Sequence, residues 1–266
     1  MSEFGPSVEF DVIRVKQGEV TRSHEQLATE IPFTIIANDI EVVTLLATPV
    51  SLKELAYGYL YSSGFIRDVA AVKAFTCDTV RWVAHIELDE TPDLSTQYQR
   101  LYTAGCGRGV MYTSMNDLAA RHPIVSSLTI HETQIFAITH WLQHSSPLYH
   151  ATGCVHTAGL SESGAIPAIV CDDVGRHNTV DKVVGTCLLA KGDFTKMVLV
   201  SSGRTSSEIL HKAKKCGIAV TISRGAPTHQ TVLLARDLGI TVVGFARGIG
   251  FTIYAHEERV IFSGER

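Results

Sequence analysis

The sequence predicts an α/β protein: a sheet of mainly parallel strands covered by helices on both faces, preceded by a half of strands and one helix. Three observations carry that expectation. From about residue 126 onward, short apolar runs alternate with helix-period segments, the pattern of a layered parallel sheet. The preceding residues read instead as β-rich runs around one helix. Each apolar run of the second half is also followed directly by a polar or Gly-rich cluster, placed where a strand hands over to a helix. The expected domains are residues 1–125 and 126–266.

The elements follow in order. Residues 7–15 alternate apolar and polar, as a half-buried strand does. Residues 31–37 and 41–46 are β-rich and flank Asn38-Asp39, a hairpin signal. Ser51-Leu52-Lys53-Glu54 matches a capping box and opens a helix to about Ser62, with Gly64 as its stop. Residues 80–88 read as a strand, and residues 91–99 as polar and irregular. Beyond the boundary, residues 129–143 are helical, with Ile135, Ile138 and Leu142 on one face, and residues 166–171 form a strand. Val180, Val183, Val184, Cys187 and Leu188 keep the i, i+3, i+4, i+7, i+8 spacing of a helix. Strands at 197–200, 219–222, 241–245 and 252–254 complete the pattern. Between them lie a helix from the capping box Thr205-Ser206-Ser207-Glu208 to Gly217, and another over 228–238 ended by Gly239.

Composition narrows the class. A hydrophobic fraction of 45% is enough to bury a sizeable core, and a net charge of −4 argues against a nucleic-acid binder. The N-terminus lacks a basic stretch followed by an apolar one, and no apolar run reaches membrane-spanning length, so the cytoplasm is expected. The cysteines at 77, 106, 154, 171, 187 and 216 form no C-x-x-C pair, which argues against a disulfide framework. No metal site is expected: Cys154, His156 and Cys171 lack the local spacing of zinc ligands.

The polar clusters share a location. In a parallel sheet the carboxyl ends of the strands lie on one edge, so four loops converge there. They are residues 172–177, Ser201-Ser202-Gly203-Arg204, Ser223-Arg224-Gly225-Ala226-Pro227 and Ala246-Arg247-Gly248-Ile249-Gly250. Arg176, Arg204, Arg224 and Arg247 supply one guanidinium each. Guanidinium forks and open backbone N–H groups suit phosphate, so the ligand expected is an anionic, nucleotide-like molecule. The densest cluster is 172–182, with six ionisable side chains in eleven residues. Asp173 there could also cap a helix, and Asp181 and Lys182 could form a salt link.

Cys106 stands apart. It lies in Gly105-Cys106-Gly107-Arg108-Gly109, where glycines leave the sulfur uncovered and Arg108 favours the thiolate. The competing reading is a tight turn that contains a cysteine.

These residues resemble a known family. Asp173-Val174-Gly175-Arg176-His177-Asn178 with Val180-Asp181-Lys182, Ser202-Gly203-Arg204, Ala226-Pro227-Thr228, and Val243-Gly244-Phe245 with Arg247-Gly248 are similar in order and spacing to the formate dehydrogenase accessory sulfurtransferases (FdhD). Leu46-Ala47-Thr48-Pro49 and Gly58-Tyr59-Leu60 agree more loosely, and Thr152-Gly153-Cys154-Val155-His156 looks like the family's Thr-Gly-Gly-x-His segment.

The resemblance implies a cytidine-deaminase-like three-layer α/β domain preceded by a smaller α+β domain. It implies a homodimer that passes persulfide sulfur from a cysteine desulfurase to the molybdenum bis-molybdopterin guanine dinucleotide cofactor of formate dehydrogenase. Cys106 aligns with the persulfide-carrying cysteine, and Phe245, Ala246, Arg247, Gly248, Ile249 and Gly250 with a cofactor-binding segment. Gly203, Arg204, Arg176 and His177 are the further cofactor-binding candidates, and a guanine nucleotide is expected to act as a partial mimic.

Two departures matter. Gly109 stands where the family commonly has a second loop cysteine, which rules out a dithiol relay within this loop, and Cys154 replaces a glycine. Other functions fit these residues less well. A zinc deaminase needs an H-x-E and a P-C-x-x-C that are both missing from this sequence. A cysteine hydrolase needs a histidine base beside Cys106. A non-catalytic cofactor-binding chaperone for formate dehydrogenase is the alternative that the sequence leaves open.

Overall fold

The computed structural model describes residues 5–92, 98–102, 110–114 and 122–264. Strands β1 (Ser7–Lys16) and β2 (Glu19–Ala28) pair as an antiparallel ribbon over ten residue pairs. Gln17 and Gly18 between them both have positive φ, the backbone of a type I′ turn. Strand β1 is expected from the sequence and β2 is not, because its residues are mostly polar and half or fully exposed.

Strands β3 (Ile31–Ala37) and β4 (Ile40–Ala47) form the expected hairpin around Asn38 and Asp39, again both at positive φ. Helix α1 (Leu52–Ser62) follows, but the expected capping box is absent. Ser51 adopts a left-handed conformation and its hydroxyl makes no cap bond, because the chain turns sharply after Pro49 to lay α1 on the core. Strands β5 (Val72–Asp78) and β6 (Val83–Leu88) complete a four-stranded sheet of order β4-β3-β6-β5. The expected strand over 80–88 starts late because Trp82, at positive φ, still belongs to the turn. Strands β7 (Tyr98–Tyr102) and β8 (Val110–Ser114) pair antiparallel.

In the second half come β9 (Ile130–His131), α2 (Glu132–His144), α3 (Pro147–Thr152), β10 (His156–Glu162), β11 (Ile169–Asp173) and α4 (Arg176–Leu189). Next are β12 (Met197–Ser201), α5 (Ser207–Cys216), β13 (Val220–Ser223), α6 (His229–Leu238), β14 (Thr241–Arg247), β15 (Gly250–Ala255) and β16 (Val260–Ile261). Ser206, not Thr205, caps α5 through its hydroxyl.

The large sheet runs β11-β10-β12-β13-β14-β15. It is more mixed than expected. Strands β12, β13 and β14 pair in parallel, whereas β10 is antiparallel to both its neighbours and β15 is antiparallel to β14. Short connections cause this: β10 leads to β11, and β14 to β15, without the crossover helix that a parallel neighbour requires. The polar loops still converge on one edge. Strands β11 and β12 are both antiparallel to β10, so β11 runs in the same direction as β12, β13 and β14.

Alternation along the strands assigns the faces. Val198, Val200 and Val243 face Ile135, Ile138 and Leu142 of α2. Leu199 faces the other way, into a cluster with Val180 and Val184 of α4 and Ile209 and Ala213 of α5. Val242 joins Ala235 and Leu238 of α6 and Leu210 of α5. Helices thus cover both faces, giving the mixed α/β layered architecture expected.

The cluster around Leu199 continues without a break through Leu55 and Leu60 of α1 to Phe33, Ile35 and Ile86 of the small sheet. Helices α1 and α4 touch backbone to backbone. A Cβ at Gly58 would lie 1.8 Å from the Asp181 carbonyl oxygen, and one at Gly185 1.8 Å from that of Glu54. Among the described residues no helix is long and apolar enough to cross a membrane.

Candidate functional site

The loops after β11, β12, β13 and β14, together with the start of β10, meet at one edge of the large sheet. His156 pairs with Asp173, Ala158 with Ser201, and Ser201 with Ser223, so these loops lie side by side. A cavity of about 400 Å³ opens there, lined by Cys154, His156, Ser202, Arg224 and Arg247 among others. Its size is in the range that small-molecule sites occupy. Among the described residues the lining carries two guanidinium groups and no carboxylate, which favours an anionic ligand. The Arg247 Nε donates to the Arg224 carbonyl at 2.6 Å, which ties the β14–β15 tip to the loop after β13.

That tip holds the 245–250 segment. Phe245 is 48% exposed, sits at positive φ, and has the Arg247 guanidinium 5.9 Å from its ring centroid. An aromatic residue in this backbone region is strained, and the bond from its N–H to the Gly225 carbonyl at 3.0 Å holds it there. Gly248 makes the turn at positive φ, and Ile249 is fully exposed. Ala246 differs from its neighbours: its methyl is buried in the core, so only its backbone faces the loops.

The remaining arginines lie beside the cavity rather than in its lining. Arg176 begins α4 and packs on Gly203, where a Cβ would come within 3.0 Å of the Arg176 Cβ and 3.6 Å of the His156 Nδ1. Arg204 is exposed, and its Cα would be 2.9 Å from a Cβ at Gly225. These glycines let three loops stack closely. Burial and the Arg176 guanidinium both hold His156 below the ordinary histidine range.

The run 172–182 is chiefly a clamp. Asp173 accepts from the Thr48 N–H at 3.0 Å, the Gly175 N–H at 2.7 Å and the Asn178 Nδ2 at 2.9 Å. The Lys182 ammonium sits 2.6 Å from the same carboxylate, and both side chains are wholly buried. Lys182 also donates to the Thr48 and Asp172 carbonyls, and Asn178 to the Leu46 carbonyl at 2.7 Å. The Thr48 hydroxyl accepts from the Val174 N–H at 3.0 Å. The motif therefore grips residues 46–48, more than 120 positions upstream. Asp172 takes the Ser146 hydroxyl at 2.6 Å and that of Thr157 at 2.7 Å, fixing the start of α3 against β10.

A second buried network lies behind the first. Asp181 accepts from the Ser62 hydroxyl at 2.7 Å and is ion-paired with Lys212, which also faces Glu208. His177 Nε2 lies 3.2 Å from the Ser206 hydroxyl and 3.4 Å from the Glu208 carboxylate. Burial first, then Lys212 and Arg176, push His177 down to about 3, so it is neutral at physiological pH. Burial raises Glu208. His177 thus spends its outer nitrogen on the α5 cap rather than on the cavity.

Cys106, Arg108 and Gly109 lie outside the described residues, as do 93–97 of the stretch expected to be irregular. Cys154 is an exposed free thiol in the cavity wall. Leu142, Gln143 and Tyr149 also line the cavity. Their place in the cavity is not legible in the sequence, because helix α3 carries no polar motif and nothing in the sequence brings α2 to this edge. Arg224 had a signal, since its loop is one of the four arginine-bearing loops.

Comparison with known proteins agrees with this architecture. The model of the FdhD/NarQ family matches residues 28–261. A Bacillus licheniformis protein named sulfur carrier protein FdhD is 37% identical over 254 residues, covering 95% of this chain and 96% of that one. Its namesake from Staphylococcus aureus strain MRSA252 is 38% identical over 256 residues, with the same coverage. The crystal structure of a candidate formate dehydrogenase accessory protein from Desulfotalea psychrophila superposes with a TM-score of 0.77 at 24% identity. The match spans 96% of this chain and 99% of that one, and it establishes likeness of fold.

Proposed function

Because the chain belongs to the FdhD/NarQ family, we propose that it is a sulfur carrier serving the maturation of formate dehydrogenase, with Cys106 as the thiol that carries the sulfur. The curated relatives, matched over nearly their whole length, are named sulfur carrier proteins, which supports the carrier part of this reading. The Cys106 thiolate attacks the outer sulfur of a cysteine desulfurase persulfide, and the desulfurase thiolate leaves. Cys106 then holds the sulfur as a persulfide; the S–S pair returns to Cys106 as the thiolate, and the outer, zero-valent sulfur passes to an acceptor that supplies the electron pair of the new bond. The acceptor in this reading is the molybdenum bis-molybdopterin guanine dinucleotide cofactor, bound as cargo. The carrier works as a homodimer in the cytoplasm.

The observation that supports a cofactor role is the cavity at the sheet edge, whose described lining holds two guanidinium groups and no carboxylate. Arg224 and Arg247 face phosphates, and the exposed, strained Phe245 beside the glycines at 248 and 250 leaves the rim open to a base. Gly203 and Arg204 border the same rim, while Arg176 and His177 hold its floor in place. The test is guanine nucleotide binding, measured by calorimetry with GDP as the partial mimic. Arg247→Ala and Arg224→Ala should each weaken GDP by roughly tenfold, the value of one charge-assisted contact. Unchanged affinity in both variants would remove the cavity from the reading.

A further inference from the structure

A pair of imidazoles on the last turn of α2 takes no part in the cavity lining or the buried networks. His140 and His144 are four residues apart, hence on one face of the helix, and both are exposed. Their ring centroids are 4.7 Å apart. The His144 Nδ1 is 2.8 Å from the His140 carbonyl, which can only accept, so the proton is on Nδ1 and the lone pair on Nε2. A backbone bond of this kind is what orients a metal-binding histidine.

The spacing has a quantitative meaning. A zinc–imidazole bond of about 2.0–2.1 Å puts a ring centroid roughly 3.2 Å from the ion. Two rings sharing an ion at about 90–109° then have centroids roughly 4.5–5.2 Å apart. The observed 4.7 Å falls inside that range. His144 is the final residue of α2, where the carbonyl end of the helix favours a cation.

We propose that His140 and His144 form a two-nitrogen site for a divalent transition ion that favours imidazole, Zn²⁺ or Ni²⁺, with solvent or a partner's donors completing the shell. The chelate is bidentate. Among the described residues no three His, Cys, Asp or Glu side chains stand in metal-binding geometry, and a third imidazole, His150, has its centroid 6.5 Å from His144. Helix spacing alone sets the two rings side by side; the backbone bond adds an Nε2 lone pair on His144 that is left available at a ring separation a shared ion fits. The inference is independent of the sulfur-carrier reading.

The experiment is a Zn²⁺ titration of the full chain with its thiols blocked by iodoacetamide, followed by calorimetry and by competition with a chromogenic chelator. Alanine has the higher helix propensity, so His→Ala on this exposed face should leave α2 intact, which circular dichroism checks. One ion should bind, and His140→Ala and His144→Ala should each weaken it by at least about tenfold, as much as the loss of a mere supporting partner costs. His150→Ala should stay within about twofold of the unsubstituted chain. No binding, binding undiminished in either pair variant, or an equal loss in His150→Ala would overturn the assignment.

Discussion

Asp173→Asn tests the clamp. The substitution keeps the shape of the side chain and removes its charge. Asn can still accept from the Gly175 N–H and the Asn178 amide, but its own amide group then faces the Thr48 N–H and the Lys182 ammonium, donor against donor. Lys182 is left wholly buried with only the Thr48 and Asp172 carbonyls to solvate it. Breaking a buried ion pair from one side costs about 3–5 kcal/mol, a large part of the roughly 5–15 kcal/mol that holds a domain folded. Urea denaturation followed by tryptophan fluorescence and circular dichroism, with m-values compared, measures it. Asp173→Asn combined with Lys182→Met should recover part of the loss, because the orphaned ammonium is gone. The folded fraction of Asp173→Asn should bind GDP as the unsubstituted chain does. A stability loss below about 1 kcal/mol together with weakened GDP binding would refute the clamp and return the motif to the ligand site.

Further predictions concern the helix crossing and the buried histidine. Gly185→Ala places a methyl 1.8 Å from the backbone oxygen of Glu54, which no rotamer relieves, and should cost about 2–3 kcal/mol by the same denaturation assay. Glu54→Ala, which leaves that backbone in place, should cost far less. His177 has a folded pKa of about 3, below its unfolded value of about 6.5, so the unfolded chain binds more protons between those values. Stability from this group is present above pH 6.5 and is lost as pH falls towards 3. About 2 kcal/mol should disappear between pH 7 and pH 5. His177→Gln should lose less over that interval, and equal losses in variant and unsubstituted chain would count against the buried neutral imidazole.

The polar clusters after β11, β12, β13 and β14 were legible in the sequence because each follows an apolar run directly, and their convergence survives in a sheet more mixed than expected. The strand directions were not legible, since a short connection and a crossover leave the same apolar signature. Strand β2 was hidden by its exposed polar residues, and α3 by its length of six residues. The ionisable run 172–182 was expected to face a ligand. Most of its charges turned inward instead: Asp173 pairs with Lys182, and Asp181 with Lys212. Sequence spacing cannot show that Lys212 and residues 46–48 arrive from elsewhere to satisfy those charges.

The central claim, that Cys106 carries sulfur, is tested most directly by persulfide mapping. The chain is incubated with a cysteine desulfurase and cysteine, and each cysteine peptide is read by mass spectrometry. The account predicts one added sulfur on the Cys106 peptide, absent in Cys106→Ser. Loading no greater than in Cys106→Ser would contradict it and favour a cofactor-binding chaperone without a sulfur-carrying thiol.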